Sequence, residues 1–286
     1  MGGELFACLN PRIHADQGRV SAATCLACQW REEPPADQTP CDVGRPSQAV
    51  APDDQQTSPR DFTWAVGMTT APRARPTLER SLASLIAAGW NGPRLFAEPH
   101  TALQERFADL PITWRDRKLG AFPNWYLGLS ELYLREPLAD AYLMCQDDAI
   151  FAEGSRSYLE QHLWPAAEVG VVSIYTPTHW SRGRPCGFHV ERHGWASWGA
   201  LAYIFSNKSL RALLAHPLAI EHRRLGPAGG LRNIDSVVGA WCQAAELPYF
   251  VHVPSLVQHI GETSTIWTSA GANGGRRASD FVPRIS

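Results

Sequence analysis

Two adjacent carboxylates, Gln146-Asp147-Asp148, follow a short, uninterrupted apolar run at residues 141–145. An apolar stretch of that length bounded by polar residues predicts a buried central strand whose end opens onto a site. Alternation along the backbone would then turn one carboxylate into the site and the other away. A hard divalent cation such as Mg²⁺ or Mn²⁺ takes oxygen ligands. It needs only one or two protein carboxylates when phosphate oxygens complete its shell, so the pair suits a diphosphate leaving group. An Asp-Asp pair at the start of a loop is also an ordinary solvated turn. Near the C-terminus, Pro254-Ser255-Leu256-Val257-Gln258-His259-Ile260-Gly261 places a histidine between a predicted strand and a glycine, outside any helical stripe. His259 is a candidate for metal or phosphate contact, or a core histidine bonded to backbone.

Two further clusters carry potential chemistry. Residues 175–180 and 188–198 contain three Trp and three His in a Gly-rich setting. Sugar faces stack on indoles, so Trp180, Trp195 and Trp198 are candidates for an acceptor or donor-sugar surface, against packing of a loop-rich edge. At the other end, Cys25-Leu26-Ala27-Cys28 presents two thiolates from one tight turn. Cys8 and His14 could complete a tetrahedral Zn²⁺ shell, with Cys41 an alternative to His14 and free thiols the competing reading. Cys145, Cys186 and Cys242 lie in or near apolar segments and read as packed side chains. Seven cysteines, an odd number, suit metal binding in a reducing compartment better than a disulfide framework.

These residues need elements to position them. The 286 residues are 44% hydrophobic and 19% charged, enough to bury a full core. Composition divides the chain into a segment at 1–32 expected to be a zinc-binding module, a Pro-, Asp-, Gln- and Ser-rich linker at 33–59, and an α/β domain at 60–286. Strands are expected at 63–68, 94–97, 112–115, 141–145, 169–175, 200–205 and 250–253. Helices are expected at 77–88, 124–134, 208–215 and 234–245, the first with Thr77 as N-cap and Gly89 as stop. A formal charge of −2 gives a nucleic-acid partner no electrostatic support. The lack of an apolar run of roughly 18–20 residues, or of a signal-peptide core, predicts no membrane span and a cytoplasmic protein.

Taken in order, several phrases resemble GT-A glycosyltransferases. They are a first strand leading into Thr69-Thr70-Ala71-Pro72-Arg73, the carboxylate pair, Trp198-Gly199-Ala200-Leu201-Ala202-Tyr203, Asn233-Ile234-Asp235, and the segment ending in His259-Ile260-Gly261. The last is most similar to the N-acetylglucosaminyltransferase IV family, which makes branches on N-glycans. The resemblance spans roughly residues 62–267. It implies a Rossmann-like GT-A fold and inverting transfer of a sugar from a nucleoside diphosphate donor, a UDP-sugar, to the hydroxyl of a glycan, protein or small-molecule acceptor. It further implies that Asp148, with Asp147 beside it, holds Mn²⁺ or Mg²⁺ and the donor diphosphate, and that His259 adds a late metal or phosphate contact. Thr70 and Arg73 would line the nucleotide pocket. Lys118, Gly120 and Asn124 fall where such enzymes place a second nucleotide-contacting loop, although an ordinary basic loop and helix start would look the same. Asp235 is the candidate catalytic base, or a cap for the helix carrying Val237, Val238 and Trp241. The chain departs from the family in having Gln146 where an acidic residue is frequent, and in lacking a Golgi enzyme's membrane anchor; both bear on the branching substrate. Two other classes remain on these grounds, a metal-dependent nucleotidyltransferase and a non-catalytic carbohydrate-binding or scaffold protein.

Overall fold

The computed structural model describes residues 5–7, 19–21, 62–191, 199–225, 230, 234–261 and 276–285. The chain divides into two compact units, Met1–Thr39 and Pro40–Ser286. In the first, β1 (Leu5–Ala7) pairs antiparallel with β2 (Arg19–Ser21). The zinc candidates Cys8, His14, Cys25 and Cys28, and the alternative Cys41, lie outside the described residues.

The second unit is built on an eight-stranded mixed sheet. Its strands are β3 (Trp64–Thr70), β4 (Arg94–Ala97), β5 (Ile112–Trp114), β6 (Ala141–Gln146), β8 (Val171–Ser173), β9 (Gly187–Glu191), β10 (Ala202–Ser206) and β11 (Tyr249–Val253). Their order across the sheet is β5-β4-β3-β6-β10-β8-β11-β9. The first four are mutually parallel and β10 runs antiparallel between β6 and β8. The Rossmann-like half therefore lies in β5-β4-β3-β6, where the chain leaves β3 toward one side for β4 and later returns to pair β6 on the other. A separate two-stranded ribbon joins β7 (Ala149–Phe151) to β12 (Val257–His259).

Helices cover both faces. Along β6, Leu143 and Cys145 share a core with Leu78, Leu82 and Leu85 of α1 (Leu78–Ala87) and Leu159 of α3 (Ser155–His162). The alternate residues Tyr142 and Met144 face a core formed with α2 (Ala121–Arg135), α4 (Asn207–Leu214) and α5 (Ile234–Ala244), which contributes Trp125, Leu210 and Trp241. A strand apolar on both faces is what a helix-covered parallel sheet requires. Thr77 is the N-cap residue of α1, although its hydroxyl makes no capping hydrogen bond.

The contact between α2 and β3 depends on small residues. A Cβ on Gly128 would lie 2.8 Å from the Phe96 ring and 3.1 Å from Met144 Cε, and one on Gly67 would lie 2.7 Å from Leu132. Gly67 and Gly128 let helix and sheet approach closely.

The cysteines divide. Cys145 and Cys242 are buried free thiols, as expected of packed side chains. Cys186 is half-buried, directly before β9, and is disulfide-bonded, which runs against the expectation of metal binding in a reducing compartment rather than disulfides. Among the described residues no helix is long and apolar enough to cross a membrane.

Candidate active site

The carboxylate pair lies where the topology opens a crevice. Thr70 ends β3 and Asp147 follows β6, neighbouring parallel strands from which the chain departs in opposite directions. In open α/β sheets ligands bind outside the carboxyl ends of such strands. Both carboxylates are nearly inaccessible, Asp147 2% and Asp148 5% exposed.

Their contacts differ. Asp147 accepts from the Thr70 hydroxyl at 2.6 Å and from Arg73 at 2.9 Å (Nε) and 2.5 Å (Nη2). Its backbone is held too, the carbonyl by Ser81 of α1 and the N–H by the Thr69 carbonyl. Arg73 Nη1 reaches on to Asp148 Oδ2 at 2.9 Å, so one guanidinium bridges the pair. The same Asp148 oxygen is 3.2 Å from His259 Nε2. That contact follows from the ribbon, whose register sets His259 opposite Ala149, and from a hydrogen bond of Ile260 N–H to the Asp148 carbonyl. Gly261 closes the corner, since a Cβ there would lie 2.6 Å from Asp148 Oδ2.

The electrostatics follow these contacts. Burial raises the Asp147 carboxyl, and the charge of Asp148 adds to it, more than Arg73 and Thr70 offset. Burial also acts to raise Asp148, but the hydrogen bonds and charges of His259 and Arg73 outweigh it and hold the group at about 2. For Arg73, burial disfavours the charge, and the two carboxylates more than restore it.

Asp148 Oδ1 is buried and, among the described residues, has no hydrogen-bond partner. An ionised oxygen left in that state is costly unless something coordinates it. Asp148 Oδ1 and His259 Nε2 are the atoms here that could hold a divalent cation. No group of three or more His, Cys, Asp and Glu side chains is arranged as a metal site among the described residues. A two-residue set accords with a hard cation that completes its shell from phosphate and water.

Asp235 lies in the first turn of α5. Its Oδ1 accepts from Ala200 N–H at 2.7 Å and from the Tyr203 hydroxyl at 3.2 Å, and Tyr203 in turn accepts from Tyr249 at 2.9 Å. Burial raises the Asp235 carboxyl, with the Ala200 and Tyr203 hydrogen bonds opposing. Ala200 also links Asp235 to the carboxylate pair, because its carbonyl accepts from Gln146 Nε2 at 3.0 Å. Gln146, Asp147 and Asp148 are thus joined through one residue to Asp235.

The second loop is tied to the first. Glu98, just past β4, donates its N–H to the Thr70 carbonyl, and its carboxylate accepts from Leu119 and Gly120 N–H at 2.9 and 2.8 Å. Lys118 is exposed in that loop. Asn124 is buried and turned into the fold, donating to the Phe96 carbonyl and accepting from Arg115 at 2.8 Å. Trp180 is also buried. Its indole N–H is donated to Glu191, and the Arg184 guanidinium lies 3.7 Å from its ring centroid, so that face is covered. Trp195 and Trp198 lie outside the described residues.

No local sequence pattern gives Ser81, Glu98 or Tyr249 a part in the site, and the motifs containing Gln146 and Tyr203 do not reveal their contacts with Ala200 and Asp235. Gln146 carries a signal only as a polar residue directly before the carboxylates. The others act through contacts distant in sequence.

No protein-family profile and no curated protein matches this chain. Among solved structures it is similar to a putative glucose-1-phosphate thymidylyltransferase from Bacillus anthracis in complex with a sucrose. The TM-score is 0.41 and the identity 10%, over 68% of this chain and 89% of that one. So distant a likeness says nothing of function, and what the second unit shows by itself is a mixed α/β, Rossmann-like sheet with a polar cluster at its switch point.

Proposed function

We propose that the chain is a metal-dependent glycosyltransferase of the GT-A type that moves a sugar from a nucleoside diphosphate donor, a UDP-sugar, to an acceptor hydroxyl with inversion. The observation that carries this reading is the buried, unpartnered Asp148 Oδ1 at the sheet's switch point, with His259 3.2 Å from the companion oxygen. Mn²⁺ or Mg²⁺ held by Asp148 and His259 would supply charge stabilisation to the departing diphosphate. Asp147 keeps Thr70 and Arg73 in place beside it, and the loop containing Lys118 and Gly120 flanks the pocket through Glu98. Asp235, with Oδ1 held by Ala200 and Tyr203, takes the acceptor hydroxyl's proton on Oδ2. Its raised pKa makes it a stronger base than a free aspartate.

The test is calorimetry with UDP and Mn²⁺, together with product analysis on UDP-sugars. Metal-dependent UDP binding that Asp148→Ala abolishes in a folded protein is expected. Unchanged affinity in Asp148→Ala would remove the site. UDP as the released product supports sugar transfer, whereas pyrophosphate release from a nucleoside triphosphate and a sugar phosphate would make the chain a nucleotidyltransferase. Absence of any turnover despite binding would make it a non-catalytic carbohydrate-binding protein or scaffold.

A further inference from the structure

Arg73 occupies an unusual place for a residue expected to line a nucleotide pocket. Its guanidinium makes two hydrogen bonds to Asp147 and extends Nη1 to 2.9 Å from Asp148 Oδ2, the oxygen that His259 also faces. A divalent cation taken up by Asp148 Oδ1 and His259 therefore binds a carboxylate whose other oxygen already pairs with a resident cation, which it must crowd. Because Arg73 is the cation bridging two buried carboxylates, it lowers the cost of keeping both ionised before any metal arrives.

The segment that carries it is irregular and lies largely at the surface. Residues 71–77 have no regular secondary structure before α1 begins at Leu78, and Pro72, Ala74, Arg75 and Pro76 are exposed while Arg73 turns inward. Asp147 does not depend on Arg73 alone, since Thr70 donates to its other oxygen and Ser81 holds its backbone. A guanidinium offers five N–H donors in a planar fork that matches a phosphate as well as a carboxylate.

Resting on the donor-site reading above, we infer that Arg73 is an internal counter-cation that competes with the divalent metal for Asp148 and is drawn onto the donor diphosphate when the nucleotide binds. Metal alone then binds weakly, because it must displace or crowd the guanidinium. Nucleotide diphosphate and metal bind cooperatively, because the diphosphate gives Arg73 a new anion and frees Asp148. By linkage the coupling is the same whichever ligand binds first.

Mn²⁺ titrations of the full chain, read from the EPR signal of free Mn²⁺ with and without UDP, test this without any turnover. Arg73→Gln is expected to bind Mn²⁺ alone about tenfold or more tightly than the wild type, the scale of ordinary site-to-site coupling, and to bind UDP alone more weakly. The gain in Mn²⁺ affinity on adding UDP should shrink in the variant without vanishing, since phosphate oxygens can still ligate the metal. Arg73→Lys keeps the charge but cannot span both carboxylates, so its Mn²⁺ affinity should fall between the two, and it gives the same reading if Arg73→Gln does not fold. Equal or weaker Mn²⁺ binding by Arg73→Gln, with wild-type binding that Asp148→Ala abolishes, overturns this inference and leaves the donor site standing. Mn²⁺ binding indifferent to Asp148→Ala, or absent from every chain with or without UDP, overturns both.

Discussion

At the scale of single residues, the adjacent carboxylates have separate tasks. Asp147 faces Thr70 and Arg73 and organises the exit of β3, while Asp148 keeps one oxygen unpartnered beside His259. Asp235 stands apart, and its predicted effect is on chemistry. Asp235→Asn should leave UDP affinity near normal and lower the rate of UDP-sugar turnover by roughly 10²–10⁴-fold, the usual worth of a general base. The amide can still accept from Ala200 and Tyr203, so a melting temperature close to wild type is the expected control. Full turnover in that variant would leave Asp235 as a structural acceptor for Ala200 and Tyr203. Gly261 gives a second prediction. An added methyl 2.6 Å from Asp148 Oδ2 and 3.0 Å from His259 Nε2 must push one of them away. Gly261→Ala should weaken Mn²⁺–UDP binding about tenfold or more while the fold persists, since a displacement of about 1 Å can cost on the order of 10²-fold at a reacting site. Wild-type affinity measured by calorimetry would show that the corner yields freely.

At the scale of elements, legibility followed the strength of local pattern. The strand at Arg94–Ala97 appears with the bounds expected for it, and the apolar run before Gln146 is the buried central strand β6. Where the burial pattern and the pairing part company, boundaries moved. The strand expected at 169–175 pairs only over Val171–Ser173, because Ile174 to Thr176 turn to hold Leu256 and Ser255. The helix expected at 124–134 begins at Ala121, because a proline is tolerated in a first turn, where its missing N–H would have no partner. No local pattern marks strands β7 and β12. Each is three residues long, and their pairing joins positions more than a hundred residues apart, yet that pairing is what brings His259 to Asp148. The edge strand β9 escaped as well, with exposed Val190 and no continuous apolar run. The close packing of α2 on the sheet yields a prediction in which two effects oppose. Gly128→Ala gains about 1 kcal/mol of helix propensity. It also forces a methyl to 2.8 Å from the buried ring of Phe96, and overpacking a rigid core costs about 1–3 kcal/mol. The ring cannot swing aside as a flexible chain end would, so denaturant unfolding should show a net loss of up to about 2 kcal/mol. A stabilised variant would mean that α2 can lift from β3 at little cost.

At the scale of the whole molecule, acid stability is tied to a group that makes no contact with the carboxylate pair. His252, on β11, is fully buried against the rings of Tyr158 and Phe188, whose centroids lie 5.3 and 4.8 Å from its own. Its Nδ1 faces the Pro254 carbonyl at 2.7 Å, which only an N–H can satisfy, so Nε2 accepts from the Tyr158 hydroxyl at 2.8 Å. Both ring nitrogens are satisfied by the neutral form. Burial first, then the charges of His162 and His189, lower its pKa to about 4, while the Pro254 carbonyl opposes. Between pH 6.5 and 4 the unfolded chain takes up a proton that the native chain refuses, so stability falls as the pH is lowered through that window and levels off below it. A displacement from 6.5 to about 4 corresponds to ~3 kcal/mol. Asp147, Asp235 and Asp280 have raised values and act in the opposite sense, with the native chain protonating first as the pH falls. Asp148, held at about 2, loses its contribution only below the window. A single acid denaturation curve therefore mixes these groups, and comparison with His252→Gln separates them. Replacing the imidazole should cost stability at pH 7.5, where the native Tyr158–His252–Pro254 contacts are lost. The gap between wild type and variant should then narrow by ~3 kcal/mol as urea unfolding is repeated down to pH 4, because only the wild type carries the histidine's penalty. A gap constant over that range would show that His252 titrates alike in both states and that its burial does not govern the acid limit of the fold.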